Sequence, residues 1–406
     1  MENISSVINT NTDNKKLDIK KVFICGGTGF LGFYSAKEFL RQGVDVSVLA
    51  LPNEITLNQS WWPKEINVNY GMLFNLKKMH ADENCLKKED LVEYFKGSDV
   101  MVYAVGPDDR MHTHPGVSGY DFFHYYLVEK VIPVFEAAKE AGVKKAVLLN
   151  SYFAYFDRIW PEKHLADRHP YIKVRVEQAD ALIKVGGEGA DKGGMDVVVL
   201  ELPYIFGNMP EREPLWKEVF LDRFAKMPAV MFPKGGTNMI HVQGIAEAVV
   251  AASYYGEHGD KLPIGAYDET YETMINMMME DCGATKRYMG VPTWMATIGG
   301  YMVANSLKKT NQDSGLNYKF LMKDIQSQKL YYGQDVIDAV RAHLHYDEFG
   351  YNGGGSLEDG IKKTMIACYP HRFDENGNLK PEWKGINPCK KETATNNVFV
   401  DKKDRK

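Results

Sequence analysis

Three glycines near the N-terminus have a spacing that could bind a phosphate group. Gly26, Gly29 and Gly32 follow the pattern G-x-x-G-x-x-G within the segment GGTGFLG. In such a turn one glycine allows a tight reversal, one lets backbone N–H groups approach a pyrophosphate, and one lets a helix pack closely on a strand. A helix beginning at this turn would present free N–H groups and its positive dipole end to the phosphates. The spacing therefore predicts a dinucleotide site.

The sequence on both sides supplies the elements that would position this turn. The run KVFIC, Lys21–Cys25, is β-branched and apolar, which is typical of a buried strand. After the glycines, Phe33, Ala36 and Leu40 fall on one face of a helix. A second strand, Asp45–Leu49, follows. The order strand, glycine turn, helix, strand predicts the βαβ unit that holds a dinucleotide.

Strand and helix patterns go on alternating beyond this unit. One helical stretch, Tyr120–Ala141, contains Pro133, which predicts a kink or a turn within it. Strands separated by helices specify an α/β fold, a doubly wound parallel sheet that binds its ligand at the carboxyl ends of the strands. The further strand candidates are Ile66–Tyr70, Asp99–Ala104, Lys145–Leu149 and Asp196–Leu200.

Composition limits the class of protein. Of 406 residues, 44% are apolar and 25% are charged, as in ordinary soluble globular proteins. The formal net charge of −5 gives no electrostatic reason to expect a nucleic-acid partner. The five cysteines include no C-x-x-C pair, which argues against a disulfide framework or structural zinc and suits a reducing compartment. We therefore expect a cytoplasmic protein with a small-molecule substrate.

Two stretches stand apart from the alternating pattern. The N-terminal segment up to Leu17 is polar and rich in Asn, which predicts a flexible extension. From Tyr288 to Leu307 there is no charged residue, but Pro292 and Gly299 make the stretch only modestly hydrophobic. The composition therefore favours a buried segment, or a lid over an apolar pocket, and no membrane span is expected.

From Lys21 to Cys282 the order of segments resembles the extended short-chain dehydrogenase/reductase family, which includes the NAD-dependent epimerases and dehydratases. GGTGFLG is similar to that family's cofactor turn, GVKKAVLLNSYFAYF to its strand ending in a catalytic Ser or Thr, and HPYIKVRVEQA to its Tyr-x-x-x-Lys helix. LELPYIFGN and NMIHVQGIAEAV resemble two later landmarks around the substrate cleft. The resemblance implies a Rossmann doubly wound parallel sheet with a smaller C-terminal substrate-binding domain. The corresponding boundaries are a flexible extension at 1–18, a Rossmann domain at 19–205 and 236–260, a substrate-binding part at 206–235 and 261–385, and a polar tail at 386–406.

This resemblance places a catalytic hydroxyl at Ser151, a catalytic phenol at Tyr171 and, where the family has lysine, a guanidinium at Arg175. A phenol with a pKa of about 10 must become more acidic to exchange a proton near neutral pH. A cation at i+4 on the same helical face stabilises the phenolate, whereas Lys173 at i+2 points elsewhere. Ser151 would orient the carbonyl or alcohol of the substrate, and a nicotinamide would carry the hydride.

The same resemblance places a cofactor, with departures from the family pattern. Arginine is bulkier than lysine, planar and not equivalent to it. Ala50 stands where an acidic residue would bind the ribose hydroxyls of NAD, Met72 where an aspartate is common, and Leu127 at a usual asparagine position. No cationic clamp for a 2′-phosphate is evident, so NAD is favoured and NADP is not excluded. The residues expected to contact the cofactor are Gly26, Thr28, Gly29, Phe30, Leu31, Gly32, Ala50, Met72, Ala104, Tyr171, Arg175 and Pro203.

The expected substrate contacts are Tyr152, Phe153, Tyr204 and His241. The segments that carry them are aromatic and apolar, which is typical of pockets for uncharged ligands and equally of ordinary cores. This lining favours an NAD(P)-dependent oxidoreductase acting on a carbonyl or secondary alcohol of a fairly hydrophobic, steroid-like molecule. A nucleotide-sugar epimerase or dehydratase and a non-catalytic dinucleotide-binding sensor are the two alternatives.

A nucleotide-sugar substrate would need cations for its diphosphate. The candidates are Arg212, Lys217 and Arg223, in a segment that reads equally well as an amphipathic surface helix. His112 and His114 form an i, i+2 pair, but no acidic or thiol residue has helpful spacing, so no metal site is expected. A homodimer formed through a helix bundle is expected only by analogy with the family.

Overall fold

The computed structural model describes residue 5 and residues 7–52, 60–225 and 227–388. Residues 389–406, most of the predicted polar tail, lie outside the described residues.

Strands alternate with helices in the N-terminal half, as the sequence pattern predicted. Each strand carries a short run of β-branched or apolar residues, and strand β5 is buried along its whole length. The elements are β1 (Lys21–Cys25), α1 (Phe30–Arg41), β2 (Asp45–Ala50), β3 (Asn67–Tyr70), α2 (Lys88–Phe95), β4 (Val100–Tyr103), α3 (Gly119–His124), α4 (Ile132–Glu140), β5 (Lys145–Ser151), α5 (Tyr152–Ile159), α6 (Leu165–Arg168), α7 (Pro170–Gly186) and β6 (Asp196–Leu202).

Shorter strands and helices follow in the C-terminal half, and its strands β9, β10, β12 and β13 run parallel to strands that lie earlier in the chain. The elements are β7 (Tyr204–Phe206), α8 (Asp222–Phe224), β8 (Val230–Pro233), β9 (Gly236–His241), α9 (Val242–Tyr255), β10 (Lys261–Pro263), β11 (Tyr267–Thr270), α10 (Tyr271–Asp281), β12 (Tyr288–Val291), α11 (Thr293–Lys309), α12 (Tyr318–Leu321), β13 (Lys329–Leu330), α13 (Gln334–His343), α14 (Tyr346–Phe349) and α15 (Leu357–Cys368).

A seven-stranded parallel sheet forms the centre of the molecule, with the strand order β10-β6-β5-β4-β1-β2-β3. The chain moves outward from β1 through β2 and β3, and then returns to place β4 on the other side of β1. Such a reversal opens a crevice at the carboxyl ends of the strands, where α/β folds bind ligands. The predicted doubly wound Rossmann architecture is confirmed.

Alternation along β1 shows how the sheet buries both of its faces. Val22 and Ile24 pack with Phe39 of α1, whereas Phe23 and Cys25 pack with side chains of α2 and α4 on the opposite face. Alternate residues of a strand point to opposite faces, so a strand covered on both sides is apolar throughout. The first strand is therefore rigidly held, and so is the glycine turn that follows it.

A four-stranded sheet of β11, β9, β13 and β7 and a two-stranded sheet of β12 and β8 lie outside the main sheet. This arrangement differs from the predicted domain boundaries in two places. Gly236–His241, placed in the Rossmann part, is β9 and belongs to the four-stranded sheet. Lys261–Pro263, placed in the substrate part, is β10 and pairs with β6 in the main sheet. Composition could not assign β9 and β10 to their sheets, because both are short strands of mixed polarity.

The N-terminal segment differs from the predicted flexible extension. The amide of Asn14 donates to the carbonyls of Tyr255 and His343, and Leu17 N–H donates to the carbonyl of Tyr254. Ile8 is buried. Asparagine side chains, which made the segment look loose, here bind the backbone of α9 and α13. Its polar composition therefore reflects hydrogen bonding to the rest of the fold.

The predicted long helix around Pro133 is interrupted, as expected. After α3 the chain forms one π-helical turn, Tyr125–Glu129, and α4 begins at Ile132 with Pro133 in its first turn. Proline fits there because the first N–H groups of a helix need no partner within it.

The uncharged stretch Tyr288–Leu307 is not the buried segment that was one of the two expectations, and the other, a lid over an apolar pocket, stays a prediction. It forms β12 and α11, and much of α11 is open to solvent. Among the described residues, no helix is long and apolar enough to cross a membrane.

Candidate active site

The glycine turn has the geometry of a phosphate cradle. Gly26 has a φ of +83°, and a Cβ there would lie 2.8 Å from the carbonyl oxygen of Ala104. A Cβ on Gly32 would lie 2.2 Å from the carbonyl oxygen of Gly26. Only glycine allows these approaches. The N-terminus of α1 has Gly29 as its cap and no side-chain cap, so its first N–H groups remain available to an anion.

The turn therefore fits the pyrophosphate of a dinucleotide. Thr28 is buried within the turn, and Phe30 and Leu31 supply the first backbone groups of α1. Together with Gly26, Gly29 and Gly32, these are the residues that would hold the phosphates.

Small or apolar residues flank the turn where the adenosine half would extend. Ala50 ends β2, is buried, and accepts a hydrogen bond from Gly71 N–H at 2.9 Å. Met72 lies next to this link, and its carbonyl accepts from Leu86 N–H. Residues 53–59, which follow β2, lie outside the described residues. The side chains predicted at this end thus include no carboxylate for a ribose.

Tyr171 and Arg175 are in direct contact. The Nε of Arg175 donates to the phenol oxygen of Tyr171 at 2.9 Å, and its guanidinium lies over the same ring. Burial raises the pKa of the Tyr171 phenol, the guanidinium acts in the opposite direction, and the nearby carboxylate of Asp109 raises it further. The cation thus stabilises the phenolate form against the effect of burial.

The side chain of Gln178 and the backbone carbonyl of Leu149, both absent from the sequence-based site, fix this guanidinium. Its Nη1 donates to Oε1 of Gln178 at 2.8 Å and to the carbonyl of Leu149 at 3.4 Å. The amide of Asn150 donates to the carbonyl of Arg175 at 3.0 Å, which ties α7 to the end of β5. Gln178 lies at i+3 from Arg175, so its place on the same helical face could have been inferred from the spacing. Among the described residues, no hydrogen-bond partner engages Nη2.

Ser151 lies at the carboxyl end of β5 and caps the N-terminus of α5. Its Oγ accepts from Phe153 N–H at 3.4 Å, and its own N–H donates to Oδ1 of Asn150. A hydroxyl has one proton to donate besides its lone pairs, so this cap leaves the Ser151 proton free for another acceptor. The described hydrogen bonds do not join Ser151 to Tyr171 directly, but Asn150 contacts both segments.

The loop after β4 brings an acidic pair into the same region. Oδ1 of Asp108 accepts from Nε of Arg110 at 3.1 Å, and Oδ1 of Asp109 lies 3.9 Å from the same Nε. Burial raises the pKa of the Asp109 carboxyl, and Asp108 adds to that effect while Arg110 opposes it. Asp109 in turn raises the pKa of Tyr204. Its place in the loop that follows a central strand gave a general signal, but its approach to Tyr171 is a tertiary contact that the sequence does not show.

Aromatic side chains form the predicted substrate wall. The ring centroids of Tyr152 and Phe153 are 4.7 Å apart, and those of Tyr152 and Tyr204 are 6.2 Å apart. The Tyr152 hydroxyl lies 2.9 Å from the hydroxyl of Thr237 in β9. Burial raises the pKa of Tyr204 to about 12, so this phenol stays neutral at ordinary pH. Pro203, which the sequence assigned to the cofactor, is buried between β6 and β7.

His241 is separate from this group. Its Nδ1 accepts from Gln243 N–H at 3.0 Å as the cap of α9, and its buried Nε2 faces Asp359 at 3.3 Å. No described contact joins His241 to Tyr171, Ser151 or Arg175. The Nδ1 atom is used as the cap of α9, whereas the buried Nε2 makes no hydrogen bond among the described residues, so the assignment of His241 to the substrate stays a prediction.

The segment of residues 310–317, here called the strap, joins α11 to α12 and lies against Tyr171. Gly315 accepts from Tyr171 N–H at 2.9 Å, and a Cβ on Gly315 would lie 2.8 Å from that of Tyr171. Asp313 N–H donates to the hydroxyl of Thr113, and Ser314 pairs with His112 in a β-bridge. The strap therefore contacts both Tyr171 and the loop that follows β4.

Of the three cations considered for a diphosphate, Lys217 has the clearest environment. Its side chain is 4% exposed and lies 3.3 Å from a carboxylate oxygen of Asp222. Arg223 lies near His112 and lowers the pKa of that imidazole, whose burial acts in the same direction. Within the described ranges, no group of three or more His, Cys, Asp or Glu residues is arranged to hold a metal ion.

The parallel doubly wound sheet with a glycine turn after its first strand defines a Rossmann-type α/β fold, the architecture in which dinucleotide sites occur. The chain belongs to the NAD-dependent epimerase/dehydratase family, whose model matches residues 22–265. No curated protein matches the sequence at a significant level.

Solved structures share the fold at low identity. The crystal structure of gox2253 is 16% identical, with a TM-score of 0.65 over 89% of this chain and 100% of that one. A nucleoside-diphosphate-sugar epimerase from Pseudomonas aeruginosa is 12% identical, with a TM-score of 0.59 over 87% and 98%. The UDP-glucuronic acid 4-epimerase from Bacillus cereus, solved with UDP-glucuronic acid and NAD, is 13% identical, with a TM-score of 0.53 over 86% and 99%.

Proposed function

We propose that this protein is an NAD-dependent enzyme of the nucleotide-sugar epimerase/dehydratase type, with Tyr171 as its proton-transfer residue. The observation that carries the proposal is the 2.9 Å hydrogen bond from Arg175 Nε to the Tyr171 phenol oxygen. Burial raises the pKa of the Tyr171 phenol overall, and Arg175 opposes that rise, so the guanidinium stabilises the phenolate that accepts the proton of a substrate hydroxyl.

Each neighbouring residue has a role in this scheme. When an alcohol carbon is oxidised, its hydroxyl proton moves to the Tyr171 oxygen, and the guanidinium of Arg175 stabilises the phenolate that receives it. Gln178 and the carbonyl of Leu149 hold the guanidinium in that orientation. The Ser151 hydroxyl donates to the substrate oxygen and orients it. The free Nη2 of Arg175 is available to ribose hydroxyls.

The glycine turn supports the cofactor assignment. Gly26, Thr28, Gly29 and Gly32 would hold the pyrophosphate, with the N-terminus of α1 directed at it. A nicotinamide bound there supplies the group that accepts or returns the hydride. Ala104, next to Gly26 at the end of β4, would lie alongside. NAD is the first choice because the family is NAD-dependent and the compared UDP-glucuronic acid 4-epimerase was solved with it.

The sequence alone favoured net oxidation or reduction of a hydrophobic molecule. Family membership and the epimerase neighbours support a reaction on a sugar nucleotide better. One observation supports the hydrophobic substrate as a second candidate. The lining around Tyr152, Phe153 and Tyr204 is aromatic, while Lys217 and Arg110 are already paired with carboxylates. Paired cations are less available to a diphosphate.

One experiment separates the two candidates. The purified protein is incubated with NAD and a panel of UDP-sugars, and in parallel with NADH or NADPH and a panel of apolar ketones. Sugar products are followed by NMR and net turnover by NADH absorbance. Sugar conversion without net NADH change supports the proposal, and net NADH consumption with a ketone supports the second candidate.

Tyr171→Phe is the matching variant. It removes one oxygen, so we expect the fold and NAD binding to persist while turnover falls about 100- to 10,000-fold. Tyr120→Phe is the control, since that phenol bonds Glu177 on the outer face of α7. Full activity in Tyr171→Phe would reject the assignment.

A further inference from the structure

Helix α11 carries a wide apolar face that no described part of the chain covers. Three of its large side chains, Met302, Trp294 and Ile298, are 69%, 66% and 54% exposed. Tyr301 and Met295 are also exposed, and so is Met289 in the preceding strand β12. Single exposed apolar residues are common, but a contiguous group of this size marks an interaction surface.

The opposite side of α11 holds it firmly on the protein. Gly300 and Leu307 are buried, and a Cβ on Gly300 would lie 2.2 Å from the carbonyl of Tyr318 in α12. Thr293 Oγ1 donates to Ser327 Oγ at 2.9 Å. Helix α11 is therefore held in place by its buried side, and its apolar residues are exposed although the helix is packed on the protein.

Helical periodicity places two lysines at the end of the same face. Trp294, Ile298, Tyr301, Asn305 and Lys308 follow one another at steps of three or four residues, which line one side of a helix. Lys309 lies beside them, and both lysines are exposed. At the other end of the apolar stretch, Lys286 and Arg287 precede β12.

The sequence from residue 286 to residue 312 thus contains four cations and no acidic residue. The whole chain has a net charge of −5, so this positive charge is local and coincides with the apolar face. Trp and Tyr with long apolar side chains, flanked by lysines that can extend toward headgroups, form the pattern of helices that lie in a membrane interface.

We propose that the exposed face of α11, bounded by Lys308 and Lys309, docks on the surface of an anionic lipid membrane. The helix has 17 residues, hence a length of about 25 Å and a footprint of roughly 250 Å², against about 800 Å² per partner in a stable protein interface. That footprint is small for a second copy of the chain but sufficient for shallow insertion.

The test is co-sedimentation of the full chain with vesicles of phosphatidylcholine alone or mixed with phosphatidylglycerol. We expect binding to the anionic vesicles that weakens with added salt. The variant Trp294→Ser/Ile298→Ser/Met302→Ser is expected to lose at least about 10-fold in binding. Lys308→Gln/Lys309→Gln is expected to lose roughly 30-fold toward anionic vesicles.

Matched controls keep the result specific. Ile386→Ser removes another exposed apolar side chain, and Lys184→Gln/Lys192→Gln removes two exposed lysines elsewhere. Both are expected to bind as the unmodified chain does, and thermal melting checks the fold of every variant.

Several results would overturn the proposal. They are the absence of sedimentation with any vesicle, equal binding by the triple-serine variant, and light scattering that shows a dimer which the triple-serine variant converts to a monomer. Vesicle binding does not depend on turnover, so failure here leaves the proposed function standing.

Discussion

Arg175 acts on Tyr171 through a fixed orientation rather than through charge alone. Its planar group makes one hydrogen bond to the phenol and two to Gln178 and Leu149. A lysine ammonium could supply the charge but not three donors in one plane. The side-chain oxygen of Gln178 is placed to receive this guanidinium and holds its plane against the phenol.

This arrangement predicts a shift in the pH profile of activity. Burial raises the pKa of Tyr171 and Arg175 lowers it, so Arg175→Ala leaves burial unopposed and moves the pKa upward. Oxidation of an alcohol requires the phenolate, so the rising limb of kcat/KM should move to higher pH, with a loss of about 100-fold near neutrality. The pH profile of Arg175→Lys should lie between those of the unmodified chain and Arg175→Ala.

Lys173→Ala is the control, because that side chain is half exposed and pairs with Glu177 on the outer side of the helix. An unchanged profile in Arg175→Ala would remove the guanidinium from the mechanism.

Residue-level inference from the sequence reached the contacts that helix geometry determines. Tyr171 and Arg175 are four residues apart on one helix, so their contact follows from the spacing, and their catalytic role stays a prediction. Asn150 and Asp109 were not identified, because their approach depends on how β5 and the loop after β4 meet α7. That meeting is a tertiary contact without a local pattern.

At the level of elements, the glycine turn of the first βαβ unit leaves no space for a side chain at Gly32. Gly32→Ala would place a methyl group 2.2 Å from the Gly26 carbonyl oxygen, a backbone atom that cannot move without changing the turn. We expect a loss of about 1–3 kcal/mol of stability and at least about 10-fold weaker NAD binding. Calorimetric titration and thermal melting measure the two effects.

Gly299→Ala is the comparison, because nothing lies within 4 Å of a Cβ at that helical position. Alanine there should leave NAD binding unchanged and raise stability slightly. Equal NAD affinity in Gly32→Ala and the unmodified chain would show that the turn does not hold the cofactor.

The main-sheet strands were predictable because parallel strands buried on both faces are short, continuous apolar runs. The small sheets were not, since β7, β11 and β13 have two to four residues each and a mixed polarity. The exposed face of α11 was missed for a related reason. Composition shows that Tyr288–Leu307 lacks charge, but only packing on α12 shows which side faces solvent.

On the scale of the whole molecule, the N-terminal segment closes the fold by joining α9 to α13. His343 is central to this closure. Its Nδ1 contacts the carbonyl of Asn11 and its Nε2 lies 2.8 Å from a carboxylate oxygen of Asp260. Both partners only accept, so both ring nitrogens must carry protons, and the imidazole is held as a cation. The sequence could not indicate this, because the partners are more than eighty residues apart.

This buried cation predicts a stability that depends on pH. Burial lowers the pKa of His343, but the hydrogen bond and charge of Asp260 outweigh it and the pKa is raised above its ordinary 6.5. Because the folded-state pKa exceeds the unfolded one, the stabilisation is complete below about pH 6.5 and is lost as pH rises through the folded-state value. Unfolding free energy should therefore fall above neutrality, and His343→Gln should lower it by about 2 kcal/mol at pH 6 while flattening that decline.

His164→Gln, at an exposed imidazole paired with Asp167, is the control and should change neither the unfolding free energy at pH 6 nor its decline with pH. Denaturant titrations across this pH range measure the unfolding free energy. If it falls as steeply with pH in His343→Gln as in the unmodified chain, groups other than His343 cause the pH dependence.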